Sequence, residues 1–289
     1  MPDIGDREIA AVTGVLRSGW ITTGPEVRAF EQEFAAAIGV QHAVAVNSCT
    51  AALHLGLEAL GVGPTDEVIT STITFTATAE VVEYLGGRTR FVDVEPDTLN
   101  MSPAGVRALV ESEYRRTEQG WVHRRSGGTL RAIVPVHFAG HLADMPGFMA
   151  VGRELGVAIL DDAAHAFPAG LDGRGVGGFG CATAFSFYAT KTMTTAEGGM
   201  LTTDDAELAA RVRLMALHGI SRDAWKRYTA EGSWFYEVIE AGYKYNLTDL
   251  AAALGRVQLQ RAEEMLRRRA AIADAYRQGF ARNPHLELP

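Results

Sequence analysis

The sequence predicts a doubly wound α/β fold, in which a mainly parallel sheet lies between layers of helices. Short apolar runs of strand length alternate along the chain with segments that have the length and periodicity of helices. The apolar run 157–160 reads as a short buried strand, and it ends directly in Asp161 and Asp162. Open α/β sheets bind ligands at the carboxyl ends of their strands, so this strand end is a predicted site.

The first elements follow from helix start and stop signals. Segment 6–18 carries apolar residues at helical spacing and ends at a serine-glycine pair. Segment 25–38 begins with proline and is closed by Gly39, the usual order of these two residues around a helix. A short strand at 43–46 then turns into a helix over about 47–61. Its N-terminus offers free N–H groups that suit a phosphate.

The middle of the chain supplies further strands and one polar insertion. A helix opens at Thr74, after the first of three strands predicted at 67–71, 88–94 and 131–138. Between the last two strands, segment 113–128 is polar and contains glycine, so we expect a solvated insertion with His123 and its arginines at the surface.

The second half contains the predicted site and a long helix. A helix at 144–155 precedes the strand that ends in the two aspartates, and a second strand at 182–187 ends a few residues before Lys191. The lysine should therefore lie on the same rim as the carboxylates. Predicted next are a hairpin at 197–203, a helix at 204–217, an aromatic loop at 223–240 and a helix at 248–282.

The long helix 248–282 has Asp249 in its first turn. We expect it to bury an apolar stripe against its neighbours, formed by Leu250, Leu254, Val257 and Leu266.

A glycine-rich run at 175–180 formally fits the dinucleotide-binding pattern G-x-G-x-x-G. That pattern must leave a strand and open a helix, whereas this run follows a polar turn and leads into a strand. We therefore expect no dinucleotide site here.

Composition limits the function classes. With 289 residues and 47% hydrophobic content, the chain can bury a large core. No apolar stretch approaches the roughly 20 residues of a membrane span, and residues 1–19 are charged and helical rather than a signal peptide, so we expect a cytoplasmic protein. The two cysteines suggest neither a disulfide framework nor a metal site. A formal net charge of −8 argues against nucleic acid as a partner.

Asp162 and Lys191 suggest a specific chemistry. A partly desolvated lysine amine can form a Schiff base with an aldehyde cofactor, and an aspartate that keeps a pyridine nitrogen protonated makes the ring an electron sink. This pairing is the chemistry of pyridoxal phosphate. The alternative is that Asp162 caps a loop or helix and that Lys191 is a solvated surface lysine. Only Lys226 and Lys244 are other lysines.

Five runs in order extend this interpretation: NSCTAALHL, DDAAHAFPA, FSFYATK, EGG and GYKYNLTD. Together they resemble the motif series of the DegT/StrS family of nucleotide-sugar aminotransferases, and the similarity extends from about residue 4 to residue 282. DDAAHA and GYKYNLTD most resemble the branch that aminates UDP-4-keto-pentose sugars, whose product is UDP-4-amino-4-deoxy-L-arabinose. The family usually has glycine where this chain has Cys49.

The resemblance implies an aspartate-aminotransferase-like fold, the type I fold of pyridoxal-phosphate enzymes. It implies a large cofactor-binding domain over 1–247, with 248–289 forming the interdomain helix and the start of a small domain that is largely absent. It also implies transfer of an amino group from glutamate or glutamine to a keto nucleotide-sugar, in a homodimer with shared active sites.

The resemblance also assigns the site residues. Lys191 carries the cofactor and Asp162 stabilises the pyridinium. Phe75 stacks on the ring, and His165 touches the phenolic oxygen. The phosphate ligands implied are Thr50, Ala51 and Ser186 and, from the neighbouring chain, the motif with Lys244 and Asn246. Without the resemblance, Thr50 is equally well a helix cap, Phe75 a core residue and His165 a structural histidine.

Two alternatives remain. The same motifs serve aminotransferases of keto-cyclitols, whereas the related dehydratases replace the lysine by histidine, so Lys191 argues against a dehydratase. A catalytically inactive cofactor-binding or regulatory relative is the other alternative, and the retained Lys191 and Asp162 argue against it.

Overall fold

The computed structural model describes residues 2–171, 173–180, 182–220, 237–286 and 288. Its helices are α1 Asp6–Ser18, α2 Pro25–Ile38, α3 Cys49–Ala59, α4 Thr76–Tyr84, α5 Pro103–Glu113, α6 Met145–Leu155, α7 Ala206–Met215 and α8 Asp249–Phe280. Its strands are β1 His42–Val46, β2 Asp66–Ser71, β3 Arg88–Val92, β4 Tyr114–Thr117, β5 Gly120–His123, β6 Thr129–Val134, β7 Ala158–Asp162, β8 Gly170–Leu171, β9 Arg174–Gly175, β10 Ala182–Ser186 and β11 Gly199–Thr203.

The main sheet is mixed and mainly parallel, with the order β1-β11-β10-β7-β6-β2-β3. Strands β10, β7, β6, β2 and β3 run parallel, whereas β11 is antiparallel to both of its neighbours. The helices flank this sheet and pack over three apolar clusters, one beneath α3 and α7, one beneath α2 and the start of α8, and one beneath α5 and α6. The predicted α/β fold with a mainly parallel sheet is confirmed.

Helix α8 is joined to α2 by a buried carboxylate. The Asp249 side chain accepts hydrogen bonds from the backbone N–H groups of Gly24 and Val27, at 2.7 and 3.0 Å. It thus caps the N-terminus of α2, where free N–H groups and the helix dipole favour a negative charge. The sequence placed Asp249 in the first turn of α8, but only the packing of the two helix ends shows which helix it caps.

The predicted apolar stripe on α8 is only partly buried. Leu250, Leu254 and Val257 are half-buried and Leu266 is exposed. The buried seam consists of Ala252, Ala253, Gly255, Gln258, Ala262 and Met265. Small residues are needed because α2 approaches closely: a Cβ on Gly255 would lie 2.8 Å from a ring carbon of Phe30.

The polar insertion is ordered and partly buried, contrary to the sequence prediction. It forms the hairpin β4–β5, which pairs with the edge of β6. His123 is buried rather than at the surface, and its ring bonds Ser126 and Glu113. Beneath it, the buried Glu67 accepts hydrogen bonds from Arg90 and from the Tyr114 hydroxyl. The polar composition of the insertion predicted a solvated loop. Its polar side chains instead bond residues on β2 and β3, which are distant in sequence and could not be recognised from the insertion itself.

Two further segments bear on the predictions. Helix α5 was not predicted, although Ser102 accepts a hydrogen bond from the Gly105 N–H and Pro103 begins the helix, which are standard start signals.

The glycine-rich run 175–180 begins at the last residue of β9, leads toward β10 and opens no helix, as expected. Most of the predicted aromatic loop 223–240, with Lys226, lies outside the described residues.

Candidate active site

Asp162 is the last residue of β7 and is held from both sides. One carboxylate oxygen accepts a hydrogen bond from the Thr78 hydroxyl at 2.8 Å, and the other accepts one from the Ala164 N–H at 3.0 Å. Its backbone bonds Pro135 and His137 on the neighbouring chain segment. The carboxylate is 96% buried and has a fixed orientation at the carboxyl end of the sheet.

Asp161 lies beside Asp162 but its side chain belongs to the opposite face, because successive residues of a strand alternate. It is fully buried, and it bonds the His137 ring Nε2 at 2.9 Å and the Thr183 hydroxyl at 2.6 Å. The other ring nitrogen of His137 accepts the Ala143 N–H. His137 therefore donates its Nε2 proton to Asp161, which leaves this carboxylate engaged within the fold.

Lys191 follows the end of β10 and lies in the electrostatic range of Asp162. Burial lowers the pKa of its amine, while the negative charge of Asp162 acts in the opposite direction. A lowered pKa increases the fraction of neutral amine, which is the nucleophilic form.

Lys191 shares a cavity of about 180 Å³ with His165 and Ser186. Burial lowers the pKa of the His165 imidazole, and the positive charge of Lys191 lowers it further. His165 therefore favours the neutral state beside the lysine. Ser186 is the last residue of β10, and its hydroxyl accepts the Tyr188 N–H at 3.3 Å. The structure thus brings these three residues, which the resemblance assigned to the site, to one cavity.

The N-terminus of α3 lies beside Asp162. The Cys49 thiol lies 3.9 Å from an Asp162 oxygen, and burial, followed by that negative charge, raises the pKa of the thiol well above its ordinary value. Cys49 is therefore a neutral thiol. A Cβ on Gly199 would lie 2.4 Å from the Ser48 carbonyl group, so β11 can approach the start of α3 only with glycine there.

The two residues predicted to bind a phosphate at α3 differ in their contacts. The Ala51 N–H already donates to the Ser48 hydroxyl at 3.0 Å, which is a normal helix cap. The half-buried Thr50 hydroxyl, in contrast, forms no hydrogen bond with any described residue.

Phe75 caps the N-terminus of α4 and is 74% exposed. Its carbonyl accepts the N–H of Thr78, whose side chain holds Asp162. Phe75 therefore lies one helical turn before Thr78, the residue that bonds the Asp162 carboxylate. Its ring is exposed to solvent and does not belong to the core. Sequence reasoning missed Thr78. The sequence does place Thr78 one turn after Thr74, in a helix that follows a parallel strand, and that position could have indicated a residue near the strand ends.

Lys244 and Asn246 make contacts apart from this cluster. The Lys244 amine donates to the Asn246 amide oxygen, and the Asn246 amide donates to the Thr23 hydroxyl at 2.6 Å. The backbone of this segment pairs with the residues just before α3, since the Asn47 N–H donates to the Tyr245 carbonyl at 2.7 Å. Within the part of the chain that the structure describes, neither side chain contacts Lys191 or Asp162.

Across residues 2–220 and 237–288, apart from the gaps given above, no group of three or more histidine, cysteine, aspartate or glutamate side chains could hold a metal ion. None of the described helices is both long enough and apolar enough to span a bilayer.

Comparison with known proteins identifies the family. The model of the DegT/DnrJ/EryC1/StrS aminotransferase family matches residues 2–289. The spore coat polysaccharide biosynthesis protein SpsC of Bacillus subtilis is 49% identical over 289 residues, which are 100% of this chain and 70% of SpsC.

Solved structures agree. The aminotransferase TlmJ of Streptoalloteichus hindustanus has a TM-score of 0.87 at 37% identity, covering 100% of this chain and 72% of TlmJ. The putative sugar aminotransferase Spr1654 of Streptococcus pneumoniae, in its PMP form, has a TM-score of 0.85 at 35% identity, covering 97% of this chain and 71% of that one. The fold is thus the type I fold of pyridoxal-phosphate enzymes, and pyridoxal phosphate is the cofactor. The chain belongs to the DegT/DnrJ/EryC1/StrS family and is a sugar aminotransferase.

Proposed function

We propose that this enzyme transfers an amino group from glutamate or glutamine to the keto group of a nucleotide-linked sugar that is used to build a polysaccharide. The observation that carries the proposal is the cluster of Lys191, Asp162 and His165 at the carboxyl ends of β7 and β10. The name of SpsC, which refers to spore coat polysaccharide biosynthesis, supports the class of product. The UDP-4-keto-pentose branch stays a prediction.

The residues present fit pyridoxal phosphate. Asp162 would hold the pyridine nitrogen, because its orientation is fixed by Thr78 and Ala164 and it lies close to the lysine. Phe75 offers an exposed aromatic face at the same rim, suited to stacking on a ring. When bound, the cofactor supplies an aldehyde that holds the amino nitrogen and a ring that accepts electrons.

The phosphate would be held near the N-terminus of α3. The free Thr50 hydroxyl and the Ser186 hydroxyl are suitable donors, and the positive end of the helix dipole favours an anion. Ala51 would contribute its N–H only by exchanging the Ser48 hydroxyl for a phosphate oxygen. We therefore assign the largest share of the phosphate binding to Thr50.

Lys191 would serve as both the covalent anchor and the proton carrier. Its lowered pKa favours the neutral amine, and in that form the amine can take the proton from the donor's α-carbon at Nζ and return it later. His165 would donate a hydrogen bond to the cofactor's phenolic oxygen. A neutral imidazole suits this place because it adds no second positive charge beside Lys191.

We further propose a homodimer in which Lys244 and Asn246 reach the partner chain's phosphate. The proposal is supported by the exposed cationic side chain of Lys244, whose one hydrogen-bond partner among the described residues is Asn246, and by its lack of contact with Lys191 in its own chain. Mixing Lys191→Ala with Lys244→Ala protein tests it. Random subunit exchange should restore about a quarter of wild-type activity, since half of the dimers then contain one intact site. Activity no higher than the average of the parents would exclude shared sites.

The function is tested by a screen of keto nucleotide-sugars, free keto sugars and keto-cyclitols with glutamate and glutamine, with Lys191→Ala as the control. We expect transfer only to nucleotide-sugars. Transfer to a keto-cyclitol instead would establish the alternative substrate class. Cofactor binding without any transfer would make the chain an inactive relative.

A further inference from the structure

The arginines of α8 fall into two groups. Arg256, Arg261 and Arg277 each form an ion pair with a carboxylate. Arg267, Arg268 and Arg269 form neither an ion pair nor a hydrogen bond with any described residue. Of these three, Arg269 is distinguished by its surroundings. Its own helix offers no acidic partner, because the residues three and four positions away are Met265, Leu266, Ile272 and Ala273.

Arg269 also differs from its neighbours in position. It lines the cavity of about 180 Å³ that contains Lys191 and His165, whereas Arg267 and Arg268 do not. The side chain is exposed and is therefore accessible to a ligand. A guanidinium is always charged at physiological pH and offers several donors in a planar fork. An unpaired one in the wall of this cavity forms a site for an anion.

Three anions occur in the proposed reaction. The cofactor phosphate is assigned to the N-terminus of α3, which leaves the carboxylate of the amino donor and the diphosphate of the nucleotide-sugar. The cavity is smaller than the roughly 300 to 1,000 Å³ typical of sites that enclose larger ligands. In an amino acid, the carboxylate is attached to the carbon that carries the amino nitrogen, so it arrives next to Lys191. In a nucleotide-sugar, the sugar ring separates the keto carbon from the diphosphate. Size and position both favour the donor.

We propose that Arg269 binds a carboxylate of the amino donor, and that of the keto acid left after the amino group departs. This inference rests on the proposed function in assuming an amino-acid donor, but it does not depend on which sugar is used. The fork of Arg269 matches a carboxylate with two parallel hydrogen bonds, which would orient the donor's amino group toward the reacting centre.

The test compares Arg269→Gln and Arg269→Lys with Arg268→Gln, a neighbouring exposed arginine that does not line the cavity. The first measurement is calorimetric binding of glutarate, a dicarboxylate that cannot react, to each holoenzyme. Arg269→Gln should weaken binding by about 10- to 100-fold, the usual effect of losing a charged hydrogen bond. Arg269→Lys should recover part of the loss, and Arg268→Gln should behave as wild type.

The second measurement is the spectral change that each donor produces in the absence of any sugar. If the donor's α-carboxylate is bound, Arg269→Gln should raise the half-saturating concentrations of glutamate, glutamine and alanine alike. If the side-chain carboxylate is bound, only glutamate should be affected. Both results support the proposal and identify the carboxylate.

Three results would overturn it. One is unchanged glutarate and donor binding together with a raised KM for the nucleotide-sugar, which would assign Arg269 to the diphosphate. Another is unchanged binding of every ligand. The third is an equal loss in Arg268→Gln, which would show only a general effect of surface charge. Because no sugar is present in the donor measurements, failure to find a sugar substrate would leave this test intact.

Discussion

The two faces of strand β7 contain adjacent aspartates in opposite situations. On one face, which we call the cavity face because it lies toward Lys191, Asp162 acts electrostatically on the lysine. Thr78 and Ala164 hold its carboxylate there. On the closed face, Asp161 is surrounded by His137 and Thr183 and has no exposure. Successive residues of one strand thus differ in environment: the Asp162 carboxylate lies toward the lysine, and the Asp161 carboxylate is engaged in the fold. We expect changes on the cavity face to affect turnover and changes on the closed face to affect stability.

The largest effect is expected at the cavity face from Lys191→Ala. Turnover should fall on the order of 10⁶-fold, as for other enzymes that lose a covalent nucleophile. The melting temperature should change little because the side chain is only half-buried. Borohydride treatment followed by mass mapping checks the assignment, and a reduced adduct on Lys244 or Lys226 of the wild-type protein would contradict it.

The adjacent pair Asp162→Asn and Asp161→Asn compares the two faces directly. Asp162→Asn should retain the fold and lose about 10⁴-fold in kcat, as when a carboxylate that fixes a protonation state is replaced elsewhere. Asp161→Asn should lose far less activity, because its carboxylate is fully buried and bonds His137 and Thr183 within the fold. Equal losses of kcat in the two purified variants would end the distinction between the faces.

His137→Ala probes the closed face alone. It leaves Asp161 buried without its histidine donor, and breaking such a buried pair typically costs about 3 to 5 kcal/mol. Urea unfolding should show this loss, while kcat per folded molecule stays close to wild type. A normal unfolding midpoint combined with lost turnover would instead place His137 in the catalytic machinery.

Two isosteric threonine changes give a finer comparison. Thr78→Val removes the hydrogen bond to Asp162, and Thr183→Val removes the one to Asp161. Each lost bond is worth about 1 to 3 kcal/mol. On the cavity face this should appear as a roughly 10-fold lower kcat, and on the closed face as a lower unfolding free energy. The expectation fails if Thr183→Val slows turnover as much as Thr78→Val does.

The smallest expected effect is a shift in pH dependence. Burial lowers the pKa of Lys191, and the negative charge of Asp162 partly offsets this. Removing that charge in Asp162→Asn should lower the pKa further, so the rate of cofactor addition to the apoprotein should reach its plateau at lower pH. The measurement is the rate of absorbance change against pH. Asp161→Asn is the control and should leave the profile of wild type.

Much of this site could be predicted from the sequence because its main residues follow strand ends. Asp162, Lys191 and Ser186 come directly after or at the end of apolar runs, and parallel strands end at one edge. The residues that were missed or misplaced have partners far away in sequence. Thr78 is 84 positions from Asp162. Arg269 lies on α8, 78 positions after Lys191, and lines the same cavity. No periodicity in the sequence reports such contacts.

The sequence by itself determined the α/β class, the order of most elements and the candidate pairing of a lysine with an aspartate. It could do so because alternation of apolar runs and the residue types at strand ends are local properties. Only the tertiary structure decided which aspartate faces the cavity, that the insertion near His123 is a paired hairpin, and that α8 packs through small residues. Those outcomes depend on how closely distant elements approach and which face each presents, and that is a property of packing rather than of local pattern.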